Sequence, residues 1–225
     1  TNPVMAANPY SGREPRFYAS ILYNGCQWKG QTLYTYEGST DGYALGGGTT
    51  CTGYYMRKLF DEALPKNTMR STDLTYYYMR YAEVLLIYAE AMAQQNGGLT
   101  EALSALNEVR ARVDLPAVSA STKTEFMKLL RRERMIELAF EGHRFWDMKR
   151  WRIAHLPVEQ GGLNGFRGAG LHPFFDLRIR KYVFEVANDL PKRQRVFTEK
   201  NYYTKFSGND MNSNPSLIQN PEFLN

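Results

Sequence analysis

Cysteine is scarce in this chain: Cys26 and Cys51 are the two among 225 residues. Two cysteines do not make the framework of a disulfide-stapled domain. Neither has a second Cys or a His at zinc-ligand spacing. Free thiols are the simpler expectation; in an oxidising compartment a bridge between them would contribute about 3.5 kcal/mol through loop entropy. Histidine is equally sparse, at three. His155 and His172 are isolated. His143 stands near Glu133, Glu137, Glu141 and Asp147, but the Glu-x-x-His pairs that a di-metal site draws from several helices are missing. These carboxylates are therefore expected to form structural ion pairs, with no metal and no cofactor. No Gly-x-Ser-x-Gly elbow is present, and no histidine motif accompanies either cysteine. Glycoside hydrolysis needs two convergent carboxylates, and spacing alone selects none. The expectation is a protein that binds and is not an enzyme.

Long apolar runs are also lacking. The longest, Val84–Ile87, is far too short to span a bilayer. The first residues read neither as a signal peptide nor as a lipidation site. Basic residues exceed acidic ones only mildly, 28 to 23. The loosest basic cluster, Arg178, Arg180, Lys181, Lys192, Arg193 and Arg195, comes with no nucleic-acid motif and reads as solvated surface.

What is present centres on Thr122–Trp151. Phe126, Leu129, Leu130, Ile136 and Phe140 recur at helical spacing. Thr122 and Glu125 are spaced as a capping box. Gly142 suits a left-handed helix end, and a second helix should follow with Phe145, Met148 and Trp151 on one side. Glu133 and Glu137 fall on the apolar stripe. A buried carboxylate needs a partner, and Arg131, Arg132, Arg134 and Arg144 are near in sequence.

Upstream, Tyr81–Gln95 reads as a helix apolar on nearly every side, hence buried on most of them. Gly97-Gly98 stops it. Thr100 should cap a second helix through Arg112, giving one tetratricopeptide-like pair. Residues 1–60 are rich in Gly and Tyr. There Arg16–Tyr23 alternates like a strand, Asn24-Gly25 signals a hairpin turn, Thr32–Tyr36 reads as extended, and 61–75 as a linker. Residues 155–177 read as loop, and Arg180–Ala187 as a strand. The chain thus divides into a loop-rich aromatic segment (1–75), a helical segment (76–154) and an irregular C-terminal segment (155–225). The fold class is mostly α, with large irregular, partly β segments.

The aromatic excess points to binding. A flat ring packs on the apolar face of a sugar while neighbouring polar groups hold its hydroxyls. Trp28, Tyr34, Tyr36 and Tyr43, on Gly-rich loops, are the candidate ligand contacts, with Trp28 the best candidate for exposure.

Several segments resemble, in order, those of the SusD/RagB family: EPRFYASILYNG, TGYYMRKL, RYAEVLLIYAEA with ALNEVRARVDLP, ERMIELAFEGHRFWDMKRW, and NPSLIQNPEF. The stretch YYTKFSGNDMNS departs from the family's usual apolar, proline-containing segment. The resemblance implies a surface-exposed protein of the cell outer membrane that binds nutrients, mostly glycans, beside a SusC-like TonB-dependent transporter. It also implies that these residues are the C-terminal portion of a chain about twice as long, with a lipid anchor upstream. A peptide or other nutrient ligand, a helical-repeat interaction module and a hydrolase are the rival readings.

Overall fold

The computed structural model describes residues 4–5, 8–42, 49–65, 76–187 and 194–224. The expectations for Tyr43, for most of the 61–75 linker and for Lys192 and Arg193 lie outside these residues. The chain forms two compact units, one drawn from Thr1–Arg144 and Ala169–Asn188, the other from Phe145–Gly168 and Asp189–Asn225.

The first unit is built on three helices: α2 (Tyr81–Gln94), α3 (Leu99–Ala111) and α4 (Lys123–Glu137). Helix α2 packs on both others. Leu86, Ala89, Ala93, Ala102, Leu106, Val109, Phe126 and Leu130 form their common core. The small alanines let the helices approach closely; the leucines and Phe126 fill the space between them. Burial of α2 is one-sided: Val84, Ile87 and Tyr88 face outward, although its composition suggested cover all round. Gly98, not Thr100, is the N-cap of α3, so that helix begins earlier than expected. The expected capping box at α4 is present: Thr122 Oγ1 accepts from the Glu125 N–H at 3.2 Å, and Glu125 returns by accepting from the Thr122 N–H at 3.2 Å. Helix α4 ends at Glu137. A corner with positive φ at Phe140 and Gly142 leads into α5 (His143–Arg150).

The remainder of this unit is short strands and one short helix. Pro15–Ser20 is helix α1, followed by strand β2 (Ile21–Leu22); β1 is Val4–Met5. The strand expected at Arg16–Tyr23 is thus mostly helical. Proline at the first helical position presets φ, and alternation over so few residues is also compatible with a helix. Strand β3 (Gln27–Trp28) pairs with β4 (Gln31–Thr32), and β2 pairs with β5 (Tyr55–Met56). The hairpin turn is Lys29-Gly30, both with positive φ, as a two-residue loop requires. Asn24-Gly25 instead turns the chain between β2 and β3, where the Asn24 side chain accepts from the Thr35 N–H at 2.9 Å.

Strands β6 (Gly170–Asp176) and β7 (Lys181–Ala187) form an antiparallel hairpin, with β1 on the far side of β7. β7 lies where alternation indicated a strand. β6 lies in sequence expected to be loop. It is an edge strand, the one place where Pro173 costs the sheet no inner hydrogen bond. Its start is fixed by close backbone approach: the Leu171 N–H donates to Thr52 O at 2.9 Å. A Cβ at Gly53, which has φ +78°, would fall 1.9 Å from Leu171 O. Tyr10 sits at the heart of the aromatic packing here, against Tyr23, Tyr54 and Phe184.

The second unit packs Met148, Ile153, Ala154 and Phe197 together, flanked by Trp151, Leu163 and Tyr202. The Arg152 guanidinium covers the Tyr202 ring at 4.1 Å. The chain end is ordered by its polar residues. Gln219 accepts from the Phe206 N–H and donates to the Phe206 carbonyl; Asn220 donates to Thr204 O. A short helix, α6 (Gly208–Ser213), lies between, capped by Ser207 and Asp210.

Candidate functional site

Two features of the first unit bear on function: a buried ion-pair network and an aromatic surface next to it. The network is organised by α4. Glu133, Glu137 and Glu141 follow at four-residue steps along one side of the helix and its corner, and all three are buried. Glu133 receives Arg16 at 2.5 Å and Arg110 at 2.9 Å. Glu137 receives Arg16 at 3.0 Å, Arg80 at 2.6 Å and Arg112 at 2.8 Å. Glu141 receives Lys58 at 2.5 Å and Arg80 at 2.7 Å. Arg80 and Lys58 also donate to the Glu137 carbonyl, which α4 leaves open at its end.

These guanidinium and ammonium groups come from α1, the chain after β5, the start of α2 and the end of α3. Each lies at least 23 positions from the glutamate it reaches. Arg144 lies half-buried in α5. Burial by itself would raise the carboxyls of Glu137 and Glu141. For Glu137, hydrogen bonds from Arg80 and Arg16 outweigh it; for Glu141, those from Arg80 and Lys58 do. Both are held below the usual carboxylate range, so they are anions at neutral pH. Chemically the network is saturated: each carboxylate already accepts from two or more cations.

The aromatic candidates separate. Trp28 is only 7 % exposed, packed with Leu22, Cys26 and Leu33. Its expected exposure is therefore corrected. The short β3–β4 hairpin turns this ring inward, and Arg57 and Lys29 lie near its faces. It still borders an open cavity of about 450 Å³, together with Leu22, Leu33, Asp41, Tyr55, Met56 and Phe60. Tyr34 is 41 % exposed. Tyr36 is half-buried and meets Tyr34 at 5.7 Å and Tyr182 of β7 at 6.0 Å between ring centroids. Tyr182 in turn meets Phe175 of β6 at 5.3 Å. Sequence reading did not single out Tyr182 or Phe175. The alternation of Arg180–Ala187 put Tyr182 on one face of a strand, but nothing local indicated which loop that face would meet. A second concavity, about 670 Å³, opens over the network beside Arg16, Lys58, Arg80, Arg112 and Tyr77.

The pattern of the SusD family matches residues 4–223. The chain belongs to the SusD family. Over 108 residues it is 38 % identical to SusD-like protein P2 of Formosa agariphila, covering 44 % of this chain and 21 % of that protein. Its fold superposes on a SusD-like protein of Bacteroides fragilis with TM-score 0.75 and 31 % identity, over 94 % of this chain and 39 % of the other. A SusD-like carbohydrate-binding protein of the same organism matches with TM-score 0.56 and 30 % identity, over 81 % of this chain and 38 % of the other. The chain thus spans about two-fifths of the solved SusD-like chains it resembles.

The segments that carry the SusD resemblance meet at the network. EPRFY supplies Arg16, GYYMRKL supplies Lys58, RYAE supplies Arg80, NEVRARVD supplies Arg110 and Arg112, and ERMIELAFEG supplies all three glutamates. In the SusD fold of this chain those motifs are a packing device: they staple the aromatic loops to the helices.

Proposed function

We propose that this SusD family chain is part of a surface-exposed outer-membrane protein that binds an oligosaccharide and hands it, unaltered, to a SusC-like TonB-dependent transporter. The observation that carries this reading is the cavity bordered by Trp28, Leu33, Tyr55 and Phe60, with Tyr34, next to Leu33 in the chain, exposed. It joins apolar ring surface to Asp41 and to the Tyr55 phenol, which donates to the Asp41 carbonyl at 3.0 Å, a combination that suits a polyol with apolar ring faces. Trp28 and Tyr55 lie on paired short strands, and Lys58, just after β5, is tied into the ion-pair network, so little ordering is required when ligand enters, and preorganisation favours affinity. Likeness to a SusD-like carbohydrate-binding protein supports the same ligand class. The pairing of Glu133, Glu137 and Glu141 with cations supports binding without turnover.

The test is calorimetric titration with a panel of soluble oligosaccharides, and with peptides of similar size, each mixture then analysed for products. Expected is saturable heat with at least one glycan and full recovery of that glycan intact. Saturable binding of peptides alone would assign a different nutrient, and cleavage of the glycan would overturn the non-enzymatic reading. Co-purification with a TonB-dependent barrel, from cells expressing the longer protein, tests the partner.

A further inference from the structure

We propose that the tip of the β6–β7 hairpin, residues 174–181, is a lipid-contacting knob: its aliphatic turn enters the headgroup region of a bilayer that carries anionic phosphates, and its cations pair with them. Such a contact concerns how the chain lies on a membrane surface and is independent of the glycan ligand.

Composition alone assigns Arg178, Arg180 and Lys181 to solvated surface. In the fold they share one turn with side chains that solvation does not explain. Leu177 is 82 % exposed, and Phe174, Phe175 and Ile179 are exposed with it. Phe174 and Phe175 point to opposite faces of the sheet, as do His172 and Pro173 before them. The earlier pair is buried and the later pair is open, so β6 leaves the body of its unit after Pro173. The hairpin end projects, and it carries apolar groups where turns are mostly built from Gly, Pro, Asn, Asp and Ser.

The turn has a defined shape. Asp176 Oδ1 accepts from the Arg178 N–H at 2.8 Å and from the Ile179 N–H at 3.4 Å. Asp176 is the one acid among residues 174–181, against three cations. Its side chain is turned in, whereas that of Arg178 is 87 % exposed and its guanidinium stands 4.0 Å away, a long contact. Among the described residues, neither Arg180 nor Lys181 has an acidic partner. Positive charge therefore surrounds an apolar point.

Size and chemistry select the partner. A stable protein interface buries more than about 1,000 Å², beyond the reach of one hairpin tip, and leucine is under-represented among its anchors. A neutral sugar calls for neither cations nor branched aliphatic chains. An anionic bilayer surface calls for both: Leu and Phe side chains enter the headgroup boundary, and each Lys or Arg near the surface strengthens binding about fivefold. A contact of this size is weak alone and works beside a second attachment.

The experiment is flotation of the 225-residue chain with phosphatidylcholine vesicles, with and without a minor share of phosphatidylglycerol. Expected is binding to the anionic vesicles and none to phosphatidylcholine alone. Arg178→Gln with Arg180→Gln should weaken it about tenfold or more, and Leu177→Asn with Ile179→Asn about fivefold or more. Ile218→Asn with Lys205→Gln, an exposed aliphatic chain and an exposed cation elsewhere, should leave binding and Tm unchanged, and Tm should also hold in the tip variants. In Leu177→Trp, brominated lipid should quench the added indole beyond the quenching seen in wild type. No binding to anionic vesicles, equal binding by the tip variants, an equal loss in the Ile218 and Lys205 control, or a lowered Tm in the Leu177 and Ile179 pair overturns the lipid contact. Loss through the cations alone, with the indole unquenched, overturns insertion. If wild type ignores the vesicles and co-purification of the longer protein with a barrel depends on Leu177 and Arg178, the tip is a protein contact instead. Each of these outcomes leaves the glycan reading standing.

Discussion

Glu137 has almost no contact with solvent, yet it carries a full charge. Three arginines from three separate elements reach it, which is what makes burial of the charge tolerable. Its neighbour Glu133 is 3 % exposed and shares Arg16 with it. The inward phase of both was legible, because they fall in step with Phe126 and Leu130 along α4. Their partners were not legible. Arg16, Arg80, Arg110 and Arg112 lie between 23 and 121 positions away, and no local pattern ranks such distant cations. Trp28 shows the same limit from the other side: flanking polar residues and glycine suggested an exposed ring, but a tight hairpin turns it inward. For Glu133→Ala the expected loss is about 3–5 kcal/mol, since Arg110 and part of Arg16 are left without their carboxylate. In a chain of this size that lowers Tm by roughly 10 °C, readable by circular dichroism. A loss within about 0.5 kcal/mol, typical of an exposed surface position, would mean that the pairs contribute nothing net.

At the scale of elements, the long helices were legible and the short ones were not. Helices α2, α3 and α4 announce themselves by sustained periodicity and by caps or glycine stops. Helix α1 has six residues, too few for alternation and helical spacing to be told apart. Strand β6 contains a glycine and a proline that normally break strands, and its edge position and backbone contact with Thr52 compensate. The corner between α4 and α5 yields a pH prediction. Glu137 and Glu141 are held below the ordinary carboxylate value of about 4.3. The folded state therefore binds fewer protons than the unfolded one in that range, and stability falls as pH drops. The contribution is fully present above about pH 5 and is lost as pH falls through the depressed folded values. Thermal melts between about pH 7 and pH 3 should show a flat Tm down to about pH 5 and a steep decline below. Glu141→Gln should start lower and decline less. A Tm already falling between about pH 7 and pH 6 would place the titrating group elsewhere.

Over the whole molecule, division by composition and division by compactness follow different logic. Loop-rich, helical and irregular segments succeed one another along the chain, whereas the compact units interleave. β1 near the start pairs with β7 at Phe184 and Glu185, and Met148 shares a core with Phe197. Long-range pairing of this kind leaves no periodic trace. Family motifs were legible because they supply the network that closes the first unit, while NPSLIQNPEF closes the second through Gln219 and Asn220. Interleaving has a testable consequence. A chain ending at Ala187 keeps every residue of the ion-pair network and both strands of the β6–β7 hairpin, but loses Phe197 and Tyr202. Met148, Ile153 and Ala154 then lose their aromatic cover, and burial of Phe197 alone is worth about 1.5–3 kcal/mol. Hydrogen exchange should show the amides of Ile153, Leu156 and Leu163, which donate to backbone carbonyls in the intact fold, becoming unprotected. Amides within α4, around Leu130 and Arg134, should keep their protection, because Phe126, Leu130 and the three glutamates retain all their partners. Equal loss of protection in α4 and in 153–163 would show that the two units unfold as one.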